Sequence, residues 1–427
     1  MAEGYPVTAI VMQGDARALQ LPDASVDLVV TSPPYFGQRS YTDGGEHYDG
    51  QIGAEPTPAA YIDALIGCTR EWMRVLKPTG SIWVNLGDKY DSGTSTWRAN
   101  SGDRLGDGRQ VSSWNTGSQR VTVGRPKSLL GLPWRYALAC VDDLGLTLRA
   151  EVIWSKPNGL PESVTDRVRR SHEQWFHFTA GPAYFAGIDA LREPYGTNTH
   201  GGTGASNGTK ARRADASGRV NGHQGMADVR PAPNPLGKLP GSVWEIPTQP
   251  LVVPAELEVD HFAAFPTEWP RRIIQGWSPT GICVECGEGR RPVVYKATLG
   301  HSASYDRTRS TVNPHKWLAM KAADPDRITG YACGCVEPTA PTRPAVVLDP
   351  FGGTGTTALV AAALGRIGIT VDRSADYCRI ARWRTTDPAQ IAKALGVDKP
   401  PTQLPGQRTL FDLAPNYDEG GSAHGNL

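Results

Sequence analysis

Three short stretches carry residue types that could do chemistry. In "TSPPYFG", residues 31–37, a hydroxyl, two prolines and a tyrosine stand directly behind the apolar run "VDLVV". Such a run reads as a buried parallel strand, and the prolines end it because neither can donate to a ladder. A lone S-P-P reads equally as a strand end and a turn. In "VVLDPFGGTGTT", residues 346–357, an acid precedes a glycine-rich turn, and Thr356 and Thr357 stand as caps of the helix that follows. Third come two tight cysteine pairs, "CVEC" (Cys283, Cys286) and "CGC" (Cys333, Cys335). Four thiolates of this kind make a tetrahedral zinc site, structural because no position is left open for chemistry. The second pair departs from C-x-x-C by one residue, and a redox pair or incidental thiols are the alternatives.

The glycine turn narrows the ligand. Glycines let backbone approach a bound molecule closely, and a helix N-terminus offers unpaired N–H groups. No lysine follows the last glycine, so the turn is not a P-loop, and the G-x-G-x-x-G spacing of dinucleotide sites is absent. A second strand, "RIGITVD", ends in Asp372, where a carboxylate reaches the ribose hydroxyls of an adenosine-containing ligand. Asp349, at the end of the first strand, suits an amino group better than a phosphate; its alternative role is to cap the turn. A glycine loop preceded by an acid favours S-adenosylmethionine, which has an ammonium and no pyrophosphate.

The elements that must position these groups alternate strand and helix. "VTAIVMQGDA", "SVDLVVTSPPY", "SIWVNLGD", "TLRAEVIWSKP" and "EQWFHFTAG" read as strands, with helices at "AAYIDALIGCTREWMRVL" and "LLGLPWRYALACVDD". That alternation argues for a parallel sheet with helices on both faces. With 427 residues, 39% of them hydrophobic and 20% charged, the chain has room for a large catalytic domain and an added module. A formal net charge of +1 leaves nucleic-acid binding to local clusters such as "RVRRSH", "KARR" and "WPRR". Seven cysteines, an odd number, argue against a disulfide framework. No apolar run is long enough to cross a bilayer and no signal-peptide pattern opens the chain, so a cytoplasmic protein with no membrane partner is expected.

"TSPPY" together with "LDPFGGTGTT" resembles the amino-group DNA methyltransferases, which methylate N4 of cytosine or N6 of adenine. With the S-P-P-Y segment first and the cofactor loop near the C-terminus, the order is similar to their beta-type permutation. The resemblance covers roughly residues 7–282 and 344–384. It implies an α/β, Rossmann-like seven-stranded methyltransferase sheet, circularly permuted; the polar insert and the small zinc-knuckle module lie outside the resemblance and are read from composition and from the cysteine spacing. The implied domains are 1–195 for the target-amine half and 196–240 for a Gly/Arg-rich insert that recognises the target. The catalytic domain continues over 241–282, a knuckle spans 283–335, the cofactor-binding half spans 344–384, and 385–427 is a tail.

The resemblance implies roles residue by residue. Ser32 Oγ and the Pro33 carbonyl would accept the hydrogens of the target amine, with Pro34 holding the turn rigid and Tyr35 stacking on a base flipped from double-stranded DNA. S-adenosylmethionine would be held by Asp349, Pro350, Phe351, Gly352, Gly353, Thr354, Gly355, Thr356, Thr357 and Asp372. Asp15, Phe265 and Pro266 would lie near it too. Ser ahead of P-P-Y is the pattern associated with N4-cytosine; N6-adenine is the alternative. More remote are an RNA or protein-glutamine amine methyltransferase, a dinucleotide oxidoreductase and a non-catalytic zinc DNA-binding protein. A restriction endonuclease counterpart is the implied partner.

Overall fold

The computed structural model of the chain describes residues 8–37, 42–43, 46–47, 50–91, 125–159, 161–194, 236–257, 264–295, 327–335 and 340–397. Nearly all of the expected insert (196–240) and the tail beyond 397 lie outside the described residues.

In chain order the strands are β1 (Ala9–Gln13), β2 (Val26–Thr31), β3 (Thr42–Asp43), β4 (Glu46–His47), β5 (Leu76–Leu86), β6 (Thr147–Ser155) and β7 (His172–Thr179). They continue with β8 (Val243–Glu245), β9 (Ile282–Cys283), β10 (Arg291–Tyr295), β11 (Arg327–Ala332), β12 (Thr342–Arg343), β13 (Val346–Asp349) and β14 (Ile367–Asp372). The helices are α1 (Pro58–Val75), α2 (Leu132–Asp142), α3 (Glu268–Trp277), α4 (Thr356–Ala363), α5 (Ala375–Thr386) and α6 (Pro388–Leu395).

Eight strands form one sheet in the order β1-β14-β13-β2-β5-β7-β6-β8. The first five run parallel, and β7 lies antiparallel between β5 and β6. The expected sheet had seven strands. The eighth is the three-residue β8, which pairs parallel with β6. It is too short for a period-2 pattern to reveal, and it is held by the buried indole of Trp244.

Burial on both faces explains the apolar runs. Every residue of β2 is buried. Val29 and Leu348 join a core that α1 and α2 close with Tyr61, Leu65, Trp72 and Tyr136. Leu28, Val30 and Val347 turn to the other face and meet six tryptophans: Trp83, Trp154, Trp175, Trp244, Trp269 and Trp277. Several stack, as Trp175 does on Trp269 at 4.9 Å and 18°. His177 belongs to this packing rather than to catalysis. It stacks on Trp83, its Nε2 lies 3.0 Å from Ser81 Oγ, and burial pushes its pKa down to about 3.

Helix α1 shows local sequence acting as expected. Pro58 opens it, the Thr57 hydroxyl accepts from the Ala60 N–H at 3.1 Å, and its buried residues recur at three- and four-residue spacing. Two expectations need correction. Residues 385–395 are no loose tail, because Asp387 caps α6 and Pro388 begins it. Arg271 reaches across to the Ala394 carbonyl, and Ala394 is buried in the tryptophan-rich core. Nor do Thr356 and Thr357 cap α4. The N-cap is Gly355, at φ +75°, and both threonines lie inside the first turn.

Close packing of β14 beneath α4 predicts opposite outcomes for two glycines. A Cβ at Gly368 would come within 2.4 Å of the Ala358 carbonyl oxygen, whereas one at Gly67, inside α1, would meet nothing within 4 Å. Gly368→Ala should therefore destabilise by about 1–3 kcal/mol. Gly67→Ala should stabilise by about 0.5–1 kcal/mol through helix propensity. Urea unfolding of the two variants checks both signs.

Candidate active site

A cavity of about 900 Å³ opens where β2, β13, β14 and β1 end. Ligands of open α/β sheets bind at the carboxyl ends of the strands, so the topology alone selects this edge. Ser32, Pro33, Pro34 and Tyr35 line it on one side, with Pro350, Phe351, Gly352, Gly353, Thr354, Thr356 and Asp372 on another. Asp15 and Phe265 also line it. The fold thus gathers into one cavity the two motifs that stand at opposite ends of the chain.

The S-P-P-Y turn is held from several directions. The Tyr61 hydroxyl donates to the Pro34 carbonyl at 2.8 Å, leaving the Pro33 carbonyl without a donor among the described residues. The Tyr35 hydroxyl lies 2.7 Å from Asn85 Oδ1 and 2.8 Å from Glu173 Oε2, so its one proton is shared between two acceptors. Its ring covers Gly87, where a Cβ would fall 2.6 Å from the tyrosine Cε2. Burial first, and then the Glu173 charge, push the Tyr35 phenol well above its usual pKa. Ser32 Oγ donates to Asn85 Oδ1 at 3.3 Å. Tyr35 is therefore a fixed wall, fastened at its hydroxyl.

Asn85, Glu173 and Lys156 were not singled out from the sequence. All three line the cavity. Lys156 donates to Glu173 Oε1 and lies 4.1 Å from the centroid of the Trp154 ring. Asn85 fixes its own amide by donating Nδ2 to the Gln174 carbonyl at 3.1 Å. Their signal was positional, since "WVNLGD", "IWSKP" and "SHEQW" place them near strand ends on the ligand side.

The glycine loop departs from the expectation in a definite way. Asp349 does not line the cavity. It is 1% exposed, accepting the Thr31 hydroxyl on Oδ1 and the Thr357 hydroxyl on Oδ2, each at 2.7 Å, with the Phe351 N–H at 3.2 Å. A carboxylate enclosed in this way is a structural knot, closer to the turn-capping alternative than to a ligand contact. Gly355 and Thr357 likewise lie behind the loop rather than on the cavity wall, and Pro266 is buried beside it. The glycine N–H groups are spent internally: Gly352 to the Val371 carbonyl (2.9 Å), Gly353 to Asp372 Oδ2 (2.8 Å) and Gly355 to the Gly352 carbonyl (2.8 Å). Asp372 also accepts from Ser374 N–H at 2.9 Å, and so its carboxylate is pre-oriented at the cavity edge.

Asp15 is engaged as well. Arg17 donates its backbone N–H and Nε to Oδ1, both at 2.9 Å, and Nη2 to Oδ2 at 2.5 Å, which lowers the carboxyl's pKa. The four cysteines of the two pairs form a separate cluster, with all four Sγ atoms within 4.8 Å of one another. Cys283 and Cys335 are 3.7 Å apart. Tetrahedral zinc with Zn–S bonds near 2.3 Å sets S···S at about 3.8 Å, so the donor set and its spacing fit that ion. The other three cysteines, Cys68, Cys140 and Cys378, are buried thiols.

Comparison with known proteins agrees with this geometry. The profile of a family described as DNA methylase, of the N6/N4 type, matches residues 26–284 and 342–382. The type II methyltransferase M.SmaI of Serratia marcescens is 43% identical over 186 residues, covering 43% of this chain and 60% of that protein. M.SfiI of Streptomyces fimbriatus is 29% identical over 400 residues, covering 84% of this chain and 86% of that one. The chain thus spans about three fifths of M.SmaI and most of M.SfiI. Among solved structures, the cytosine-N4-specific PvuII DNA methyltransferase aligns with a TM-score of 0.48 at 16% identity, covering 92% of this chain and 95% of that one.

The enclosed Asp349 has a measurable signature. Burial raises its carboxyl pKa from 3.8 to about 6, against the pull of its hydrogen bonds, so the folded state holds the proton more tightly than the unfolded chain. The resulting penalty is absent below about pH 4, grows through about pH 6 and is constant above. Asp349→Asn removes the titration at nearly the same shape, its amide oxygen accepting one threonine hydroxyl and its NH2 donating to the other. The stability of the variant relative to the native chain should rise by about 3 kcal/mol between about pH 4 and pH 7. Urea unfolding across that range checks this, and a pH-independent difference would contradict it.

Proposed function

We infer the reaction from one premise: the chain belongs to the N6/N4 DNA methylase family. It is proposed to be a site-specific methyltransferase that moves the methyl group of S-adenosylmethionine to an exocyclic amine of a base in double-stranded DNA. The carrying observation is the single cavity lined by both the S-P-P-Y turn and the glycine loop.

The residues present suit that cofactor. Gly353 lines the cavity, and a Cβ there would meet no protein atom within 4 Å, so its bareness leaves room for a ligand. Asp372 offers a pre-oriented carboxylate to ribose hydroxyls, and Phe351 an aromatic surface. Asp15, already accepting twice from Arg17 on Oδ1 and once on Oδ2, keeps one acceptor site on Oδ2 for an adenine amine. S-adenosylmethionine supplies an electrophilic methyl group on its sulfonium.

The rest of the chemistry falls to this chain. An exocyclic amine is a poor nucleophile because its lone pair is delocalised into the ring. Ser32 Oγ and the Pro33 carbonyl, accepting its two hydrogens, favour a pyramidal nitrogen with the lone pair free. The prolines and the Tyr61 bond to Pro34 hold these acceptors still. Tyr35, anchored by Asn85 and Glu173, presents its ring as the wall against which a flipped base rests. No covalent enzyme intermediate is required.

N4 of cytosine is the proposed target, because Ser ahead of P-P-Y, here Ser32, is the pattern associated with N4-cytosine in this family; either Ser or Asp can polarise an amine. The motif order, with the amine turn ahead of the cofactor loop, supports the permuted arrangement of this family. The four-cysteine cluster is proposed to hold one structural zinc ion between residues 283 and 335, with the exposed Arg291 proposed to reach phosphates, whereas Arg290 donates to the Ala340 carbonyl. Target recognition by residues 196–240 is proposed for a segment of which only 236–240 are among the described residues. A restriction endonuclease counterpart is proposed from the "type II methyltransferase" names of the relatives. Among the described residues, no helix is long and apolar enough to cross a membrane.

Nucleosides digested from DNA incubated with the protein and S-adenosylmethionine should contain N4-methylcytosine by mass spectrometry. N6-methyladenine alone would move the target to adenine, and no methylated base would overturn the proposal. Ser32→Ala should lower turnover roughly 10- to 100-fold while cofactor binding persists, the scale of a lost hydrogen bond to a group gaining charge. Metal analysis should find about one zinc per chain, lost in Cys283→Ser/Cys286→Ser, with protease sensitivity rising first between 283 and 335. A metal-free chain with unchanged resistance there would remove the zinc assignment.

A further inference from the structure

Among the described residues, the two most exposed large hydrophobic side chains are Val168, at 85%, and Val252, at 82%. Both stand on loops at the cavity. Pro161 and Glu162 line it before Val168 and Arg170 and Ser171 after, while Pro250 and Leu251 line it just ahead of Val252. A single exposed valine is ordinary on a protein surface. Val168 is set apart by the way its loop is held and by the charge around it.

Residues 161–171 lead into β7 and are pinned at several points. Glu162 Oε2 accepts from Arg167 Nη1 at 2.7 Å and from the Arg170 N–H at 3.3 Å. The same Arg167 Nη1 donates to the Val168 carbonyl at 3.0 Å, and its guanidinium lies 3.8 Å from the centroid of the Tyr90 ring. Lys127 pairs with Asp166 at 2.6 Å, and the Lys156 N–H donates to the Ser171 carbonyl at 2.9 Å, closing the base of the loop. The valine is therefore held out in solvent by backbone that is fixed on folding, and little ordering cost is left for binding. Arg169, next in sequence, is exposed and makes no ion pair among the described residues. By contrast, no Lys or Arg occurs from Thr248 to Glu256 around Val252. A rigid apolar tip set between cations matches a polyanion with an apolar interior, which is what stacked bases between two phosphate backbones present.

We propose that Val168 is a wedge that enters the base stack of duplex DNA beside the target base, with Arg169 on a flanking phosphate. The assignment rests on the reading of the cavity as the site that receives a base flipped from the duplex. Flipping costs the duplex a base pair and its stacking. An apolar side chain that fills the gap at the cavity mouth offsets part of that loss and delays the return of the base. The benefit is largest where the base is fully paired and small where pairing is already broken.

Two synthetic duplexes separate a wedge from a mere contact. One carries a site that the native chain methylates, and the other differs by a mismatch opposite the target base. In single-turnover methylation by the full chain, Val168→Ser should slow the matched duplex about tenfold and the mismatched one by less than about twofold. Val168→Leu, which keeps an apolar tip, should stay within about twofold of the native rate on both. Arg169→Gln should instead weaken binding of both duplexes alike and reduce the log–log salt slope by about one. Both positions are exposed, so these variants keep the fold. Equal slowing of the two duplexes by Val168→Ser, slowing of neither, or an unchanged salt slope for Arg169→Gln would overturn the proposal. A native chain that methylated no duplex DNA would overturn the methyltransferase reading itself, a result distinct from a variant that fails to discriminate the two duplexes.

Discussion

The Asp349 carboxylate fastens together two motifs that the chain holds 318 residues apart. Thr31, the last residue of β2, donates to one of its oxygens, and Thr357, in the first turn of α4, donates to the other. Thr31 leads directly into the S-P-P-Y turn, and Asp349 leads directly into the glycine loop. The knot therefore fixes the spacing between the surface that would hold an amine and the surface that would hold a methyl donor. An in-line transfer tolerates little error in that spacing. The parallel pairing of β13 with β2 brings the strands side by side, but a ladder leaves their ends free to splay. The buried carboxylate closes them.

Much of this was legible because it depends on local rules. The apolar runs of β2, β13 and β14, the capped helix α1 and the paired motifs at strand ends all follow from periodicity and turn chemistry. What was not legible depended on which atoms meet across the fold. Asp349 reads from sequence as a charge offered to a ligand. Only the meeting with Thr31 turns it inward. Thr356 and Thr357 read as caps because Ser and Thr favour that role. Here Gly355, at positive φ, takes the cap position and frees both hydroxyls for partners on other elements. Helix α6 was different in kind. Its Asp cap, opening Pro and closing Gly are plain in "DPAQIAKALG", but the acidic and Pro-rich composition that follows masked them.

The target side shows the same division. The rigidity of S-P-P-Y is written in its prolines, yet its orientation comes from Tyr61, Asn85 and Glu173, which lie 27, 50 and 138 residues from their partners in the turn. None of these carries a signature by type, since Asn and Glu at strand ends are ordinary. Their effect is preorganisation. A tyrosine held at its hydroxyl and packed over a bare glycine loses no rotamer freedom when a base arrives, so the ordering cost is met on folding rather than on binding. The Lys156 ammonium beside Glu173 keeps that anchor balanced inside a partly buried wall.

The cofactor side can be understood as a division of charge across one helical turn. Asp349 holds Thr357 from the sheet side and Arg384 holds Thr356 from α5, so an acid and a cation, neither ion-paired among the described residues, flank consecutive residues of α4. They are not paired with each other, and each meets the helix through a hydroxyl. A direct ion pair would neutralise both and leave the loop electrically silent. Separated by the threonines, the acid ties strand ends to α4 and the guanidinium ties α5 to the glycine loop. Burial makes both groups expensive, and in low dielectric the hydroxyl bonds that each group makes are strengthened, so the turn is held from two sides. Sheet, glycine loop and α5 are thus joined at the same short turn.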